Sequence, residues 1–209
     1  LREVKGPRRT RLVLFWMVLI VAGTLAKVVS APQRTTIQVD ERGNRYEGEM
    51  VDGKKQGHGQ MIYANGYKYV GEWVDDMATG KGIFTWPNGD RYEGMMKQNQ
   101  RHGEGTYYFA NGDRYVGQWS EDKKQGYGVS TLASGKYEGE FHDDQMHGNG
   151  SFYFANGDVY VGEWIDNKQQ GQGNFTWTDG NRYEGGFKEG KLHGNGSFHF
   201  PNGNRFSGQ

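Results

Sequence analysis

Three sets of residues in this 209-residue chain have the types and spacings from which chemistry is built. Seven Gly-x-Gly elements, from Gly57-His58-Gly59 to Gly194-Asn195-Gly196, have the beginnings of a phosphate-cradling loop. His102, His147 and His193 each stand immediately before the first glycine of such an element, in the phase of a metal ladder. Adjacent carboxylates at Asp75-Asp76 and Asp143-Asp144 have the composition of an acid/base pair, and Asp90, Asp113 and Asp158 recur after turns, where they would collect a cation weakly.

Each set loses its chemistry once spacing is applied. No Gly-x-Gly continues to the third glycine of a dinucleotide fingerprint or to the Lys-Ser/Thr of a Walker loop, and HExxH, G-x-S-x-G and EF-hand patterns are missing. His102 and His147 lie two repeat units apart, roughly 19 Å at about 4.8 Å per strand, whereas zinc draws its ligands to about 2 Å. They read as solvated loop residues. The carboxylate pairs lie in polar loops without a pocket, and turn solvation accounts for the recurring aspartates. With zero cysteine there is no thiolate ligand or nucleophile. The sequence therefore assigns no catalytic, cofactor-binding or metal residue, and the chain reads as non-enzymatic.

The elements that carry these residues are repeats. The aromatic before each x-Gly recurs at Tyr46, Tyr69, Tyr92, Tyr115, Tyr137, Tyr160, Tyr183 and Phe206, a spacing of 23 broken once by 22. Within a unit the period is two: Tyr160, Gly162 and Trp164 on one half, Gly148, Gly150, Phe152 and Phe154 on the other half of the preceding unit. One face is aromatic and glycine, the other wet. Asn65-Gly66, Asn88-Gly89, Asn111-Gly112, Asn156-Gly157 and Asn202-Gly203 supply hairpin turns. Tyr92 shares a face with Phe84 and Trp86 only if the turn holds an odd number of residues, so a three-residue loop with a left-handed glycine is expected. The unit between Gly128 and Tyr137 is one residue short, and a bulge or altered turn near Ser134 to Lys136 must absorb the loss. The glycines of the Gly-x-Gly elements are expected to make room for aromatic rings lying on neighbouring strands.

YEGEM, YVGEW, YVGQW and YEGEF, each followed by Gly-x-Gly and a turn, resemble the membrane occupation and recognition nexus (MORN) repeat, over roughly Tyr46 to Gln209. The resemblance implies an all-β fold, an elongated, twisted single antiparallel sheet of stacked hairpins, used for protein interaction, scaffolding and membrane association. In some relatives such repeats accompany a separate module, as in plant phosphatidylinositol phosphate kinases; no kinase sequence is present here. The array spans 45–209, seven complete units and a truncated eighth, after a lead-in at 32–44, and the chain reads as a fragment of a longer protein.

Ahead of it, residues 1–11 carry five of the 25 basic residues against one acid, a basic flank expected on the cytoplasmic side. Residues 12–31, including Leu12, Phe15, Trp16 and Ile20, form an apolar stretch of about 30 Å if helical. This N-terminal hydrophobic helix reads as a single-pass membrane anchor with the repeats extracytoplasmic; a cleaved signal peptide, leaving a secreted or periplasmic array, is the alternative. Beyond residue 11 the body is mildly acidic and shows no basic stripe, so nucleic acid is not an expected partner.

The feature with functional potential is the aromatic face: Trp73, Trp86, Trp119, Trp164 and Trp177 with Tyr69, Tyr92, Tyr115, Tyr160 and Tyr183. A single sheet has no second layer, so rings must cover the sheet itself, and any surplus forms a stripe able to take a partner helix or peptide. The expected function is a membrane-tethered scaffold with a protein partner. A phospholipid-binding module and a regulatory segment of a larger enzyme such as a lipid kinase are the alternatives, the acidic balance opposing the first.

Overall fold

The computed structural model describes residues 35–209, and the apolar segment 12–31 lies outside them. Sixteen strands form one antiparallel sheet in strict chain order. The N-terminal eight are β1 (Thr35–Val39), β2 (Arg45–Val51), β3 (Lys54–Ile62), β4 (Lys68–Val74), β5 (Met77–Thr85), β6 (Arg91–Lys97), β7 (Gln100–Tyr108) and β8 (Arg114–Ser120). The rest are β9 (Lys123–Leu132), β10 (Gly135–His142), β11 (Gln145–Phe154), β12 (Val159–Ile165), β13 (Lys168–Thr176), β14 (Arg182–Lys188), β15 (Lys191–His199) and β16 (Arg205–Gly208). β1 falls in the stretch read as lead-in, and it pairs along its whole length with β2. No described helix is long and apolar enough to cross a membrane.

Two kinds of turn alternate. Within a unit, Asp75-Asp76, Gln98-Asn99, Glu121-Asp122, Asp143-Asp144 and Asp166-Asn167 all take positive φ at both positions. That is the two-residue type I′ turn, whose twist matches the strands and which favours Asx and glycine. The paired carboxylates are thus turn formers. Between units, Trp86 N–H bonds Asp90 O at 2.9 Å and Gly89 N–H bonds Trp86 O at 3.0 Å, enclosing the three residues Pro87-Asn88-Gly89. Gly89 has φ +95°, so the odd loop with a left-handed glycine is present and Tyr92 sits opposite Phe84. In the short unit Leu132 pairs with Gly135 while Gly128 still pairs with Gly139. The lost residue is removed from the turn alone, and no ring changes face.

The glycines divide into two kinds. The second of each Gly-x-Gly pairs with the glycine two residues after a tyrosine, as Gly82 with Gly71 and Gly105 with Gly94. The tyrosine ring lies flat over both. A Cβ at Gly105 would come within 2.6 Å of Tyr92 Cζ, so here packing explains the glycine as expected. The first glycine has a different cause: Gly80 and Gly103, at φ +81° and +61°, form bulges opposite Glu72 and Met95 where the register shifts. Conformation, not ring packing, selects glycine there.

The tyrosines are the core. Tyr46, Tyr69, Tyr92, Tyr115, Tyr137 and Tyr160 are at most 2% exposed. Each phenol crosses its glycine pair and donates to the carbonyl three residues on, Tyr92 to Met95 O at 2.8 Å and Tyr115 to Gln118 O at 3.0 Å. Burial raises their pKa values, to about 12 for Tyr46, Tyr69 and Tyr160. Trp73, Trp119 and Trp164 stand edge-on between successive tyrosines, with centroids 5.1–5.6 Å apart.

Consecutive units are stapled along both margins by Asx side chains. At the type I′ margin, Asp76, Asn99, Asp122, Asp144 and Asn167 accept the N–H of Lys55, Ala78, Arg101, Lys124 and Met146, all at 2.8–3.0 Å. At the other margin, Asp90, Asp113 and Asp158 accept the N–H of Ala110, Ala133 and Thr178. These are the aspartates that suggested a weak cation site; backbone N–H groups hold them. Tyr67 and Asn181 occupy the same phase before Pro87 and Pro201, which have no N–H to give, and Asn181 Oδ1 is unsatisfied. Asp90 also accepts Tyr107 O–H at 2.8 Å, and these bonds hold its carboxyl below the usual range. Asp90→Ala is expected to lower stability in urea unfolding by about 1–2 kcal/mol, while Asp90→Asn, which keeps an acceptor, loses well under half of that.

Candidate interaction surface

The sequence placed ten aromatic residues on one face, and the structure sorts them by depth. Tyr69, Tyr92, Tyr115, Tyr160, Tyr183, Trp73, Trp119 and Trp164 are buried in the core. Trp86 and Trp177 are half-buried and belong to a second tier. That tier comes from the residues two and four beyond the second glycine, carried by the second strand of each unit to the three-residue-turn margin. Phe84, Trp86, Tyr107 and Phe109 form one chain of rings with successive centroids 4.6, 5.1 and 4.5 Å apart. Phe152, Phe154, Phe175, Trp177, Phe198 and Phe200 form another, at 4.6–5.6 Å. Ser130 and Leu132 of the short unit separate the two. A shallow groove lined by Met146, Phe152, Phe154, Trp164 and Lys168 opens on the second.

Cations flank the N-terminal half of this face. The Arg101 guanidinium lies 4.3 Å from the Trp119 centroid and bonds Asp122 at 3.0 Å. Lys124 Nζ is 5.0 Å from the Tyr115 ring, and its burial lowers its pKa. Ala78, Met146 and Gln169 replace them in other units, and there the facing turn residue is Asn99, Asn167 or Gly190 instead of aspartate. The C-terminal half is correspondingly neutral.

His102, His147 and His193 lie on β7, β11 and β15, the bulged strands. In the same phase Gln56 and Gln170 cap the N–H of Asp75 and Glu189. The histidines stand among such capping positions, and no cluster of metal-ligating residues occurs among the described residues.

The opposite, polar face carries a pattern that the sequence reading missed. A basic residue precedes the aromatic that opens each unit, Tyr160 excepted, so pairing aligns Arg45, Lys68, Arg91, Arg114, Lys136, Arg182 and Arg205 in one row. The expectation of no basic stripe is thereby corrected, since residues 23 apart in sequence become neighbours only when strands pair in order. Alternate members are neutralised within their own strand: Arg45–Glu47 at 2.8 Å, Lys136–Glu138 at 2.7 Å, Arg91–Glu93 and Arg182–Glu184. In the intervening units valine replaces that glutamate, at Val70, Val116 and Val161, each 37–49% exposed. The signal is the alternation of YEG with YVG, a period of two units.

A family model described as the MORN repeat matches residues 46–66, 69–91, 92–114, 115–136, 137–159, 160–182 and 183–205. No match was found among curated proteins. Among solved structures the chain is similar to the TCP domain of Drosophila melanogaster SAS-4 (dCPAP), in complex with a proline-rich motif of Ana2. Identity is 14%, coverage 86% of this chain and 96% of that one, and the TM-score 0.45. The TCP10 domain of Danio rerio CPAP follows at 13% identity, covering 81% and 91%, with a TM-score of 0.29. Seven consecutive family matches, each coinciding with one hairpin of the sheet, show that the chain belongs to the MORN repeat family.

Proposed function

We propose that this repeat scaffold is non-enzymatic and takes a helix or extended segment of another protein on the partly open ring stripe from Phe154 to Phe200. The observation that carries the reading is the division of one aromatic face into a closed core and a second tier in which Phe154, Phe175, Trp177 and Phe198 touch one another yet stay partly open. Contiguous, partly exposed aromatic surface gains most from a partner that completes its burial. In this reading the apolar segment 12–31 tethers the array to a membrane with the repeats extracytoplasmic.

A photo-crosslinker at Phe200 should capture a discrete partner, and one at Val161 on the opposite face should not. Phe154→Ser with Trp177→Ser should reduce capture about tenfold or more. Equal capture from both faces, or capture indifferent to the two substitutions, would reject the reading. Protease protection in sealed vesicles checks the topology, and digestion of the repeats from the cytoplasmic side would reverse it.

A further inference from the structure

The polar face divides into three parallel rows, and their order has a symmetry. The basic row runs along the three-residue-turn margin. Four residues on, the same strands and their neighbours carry an acidic row: Glu49, Glu72, Glu104, Glu140 and Glu163, with His58 and Lys81 its bases. Between them lies a centre row in which Val70, Val116 and Val161 alternate with the ion-paired glutamates, supplemented by Ile83 opposite Val70 and Val129 opposite Val116. Four of the acids are fixed in place: Glu49, Glu72, Glu140 and Glu163 accept the N–H of His58, Lys81, Asn149 and Gln172 at 2.8–3.2 Å.

We propose that this face is a self-complementary interface on which a second copy of the chain docks, turned by a two-fold axis running perpendicular to the strands. That rotation lays each strand antiparallel over its own counterpart. The basic row then meets the acidic row twice over: Lys68 faces Glu72 and Arg114 faces Glu104 from the neighbouring strand, both cations in no ion pair among the described contacts, while Arg45 and Lys136, bonded to Glu47 and Glu138, come beside Glu49 and Glu140. The valines fall on the axis and meet themselves. The glutamates that also fall there are already neutralised by Arg45, Arg91, Lys136 and Arg182. A two-fold axis parallel to the strands would instead set basic row on basic row, so the charges select one orientation.

The dimensions suffice. Sixteen strands at about 4.8 Å extend roughly 70 Å, and three rows with their side chains are about 20 Å wide. Contact along only half that length covers about 700 Å² per copy, near the roughly 800 Å² per partner of a standard interface. Two sheets of one hand, wound about a shared axis, keep such contact because the two-fold preserves their twist.

The test uses two differently tagged copies of the full chain, co-expressed and co-purified. One variant reverses the basic row with Lys68→Glu and Arg114→Glu, both exposed residues in no ion pair among the described contacts. The other reverses the acidic row with Glu72→Lys and Glu104→Lys; Met95 at the position equivalent to Glu72 shows that a long side chain fits there. Wild-type copies are expected to co-purify, each variant to lose recovery of itself by about tenfold or more, and the two variants to recover one another when mixed. Mutual recovery also shows that both variants fold. The proposal is overturned if wild-type copies stay apart, if the mixed variants fail to pair, or if the reversals change nothing, as association through residues 12–31 would produce.

Discussion

Gly94→Ala is expected to destabilise the array by about 3 kcal/mol, although its backbone is ordinary strand and alanine is the better-behaved residue there. The added Cβ would sit 2.6 Å from Gly105 Cα and 2.6 Å from Tyr92 Cζ, so backbone blocks one way out and the ring must move. Displacing Tyr92 sacrifices its bond to Met95 O and its edge contact with Trp119, 5.5 Å away. Two controls isolate the cause. Gly112→Ala places its Cβ in open space and suffers only from φ +93°, about 1 kcal/mol. Gly105→Ala should match Gly94→Ala, and the double variant should fall well short of additive because the same ring leaves once. Urea midpoints of the four variants decide it; equal losses at Gly94 and Gly112 would show that tyrosine packing is not what requires glycine.

The hairpin array was legible because its causes are local. Alternation of aromatic and polar residues dictates the strands, and the shared face of Phe84, Trp86 and Tyr92 dictates the odd loop. Even the short unit was legible to the extent that Gly128 and Tyr137 had to keep their roles. What escaped depended on neighbours in the sheet. Nothing beside Gly80 in sequence distinguishes it from Gly82, yet one is a bulge and the other a floor for Tyr69. Asp90 and Ala110 are partners only because successive turns abut, and the proline at 87 makes sense only beside Tyr67.

The candidate surface was half legible for a related reason. Ring type identified the aromatic face, but depth depends on what the next unit lays on top, so Trp119 became core while Trp177 stayed partly open. Phe109, Phe154 and Phe200 belong to the same tier, although residue type alone does not set them apart from other phenylalanines. Their position four residues after the second glycine would have grouped them with Trp86 and Trp177.

Above pH 10 the array is expected to lose stability steeply and cooperatively, with phenolate appearing and strand signal vanishing together. The buried tyrosines titrate higher in the folded state than the ordinary value of 10.0, to about 12 for Tyr46, Tyr69 and Tyr160 and higher for Tyr92, Tyr115 and Tyr137. A raised folded pKa means that the unfolded chain gives up its proton first. The stabilisation is therefore whole below pH 10 and drains as pH rises toward 12 and beyond, by about 1.4 kcal/mol per pH unit for each such tyrosine. Six phenols sharing one ladder make the total slope far steeper than a single group could. Tyr115→Phe should start less stable by about 1 kcal/mol, having lost its bond to Gln118 O, yet decline more shallowly by one tyrosine's share. Unfolding free energies at successive pH values, read beside phenolate absorbance, check both parts. If the phenols ionise near pH 10 while the strands remain intact, their hydroxyls are not held in the closed core, and the distinction between a sealed inner tier and an open outer one fails with them.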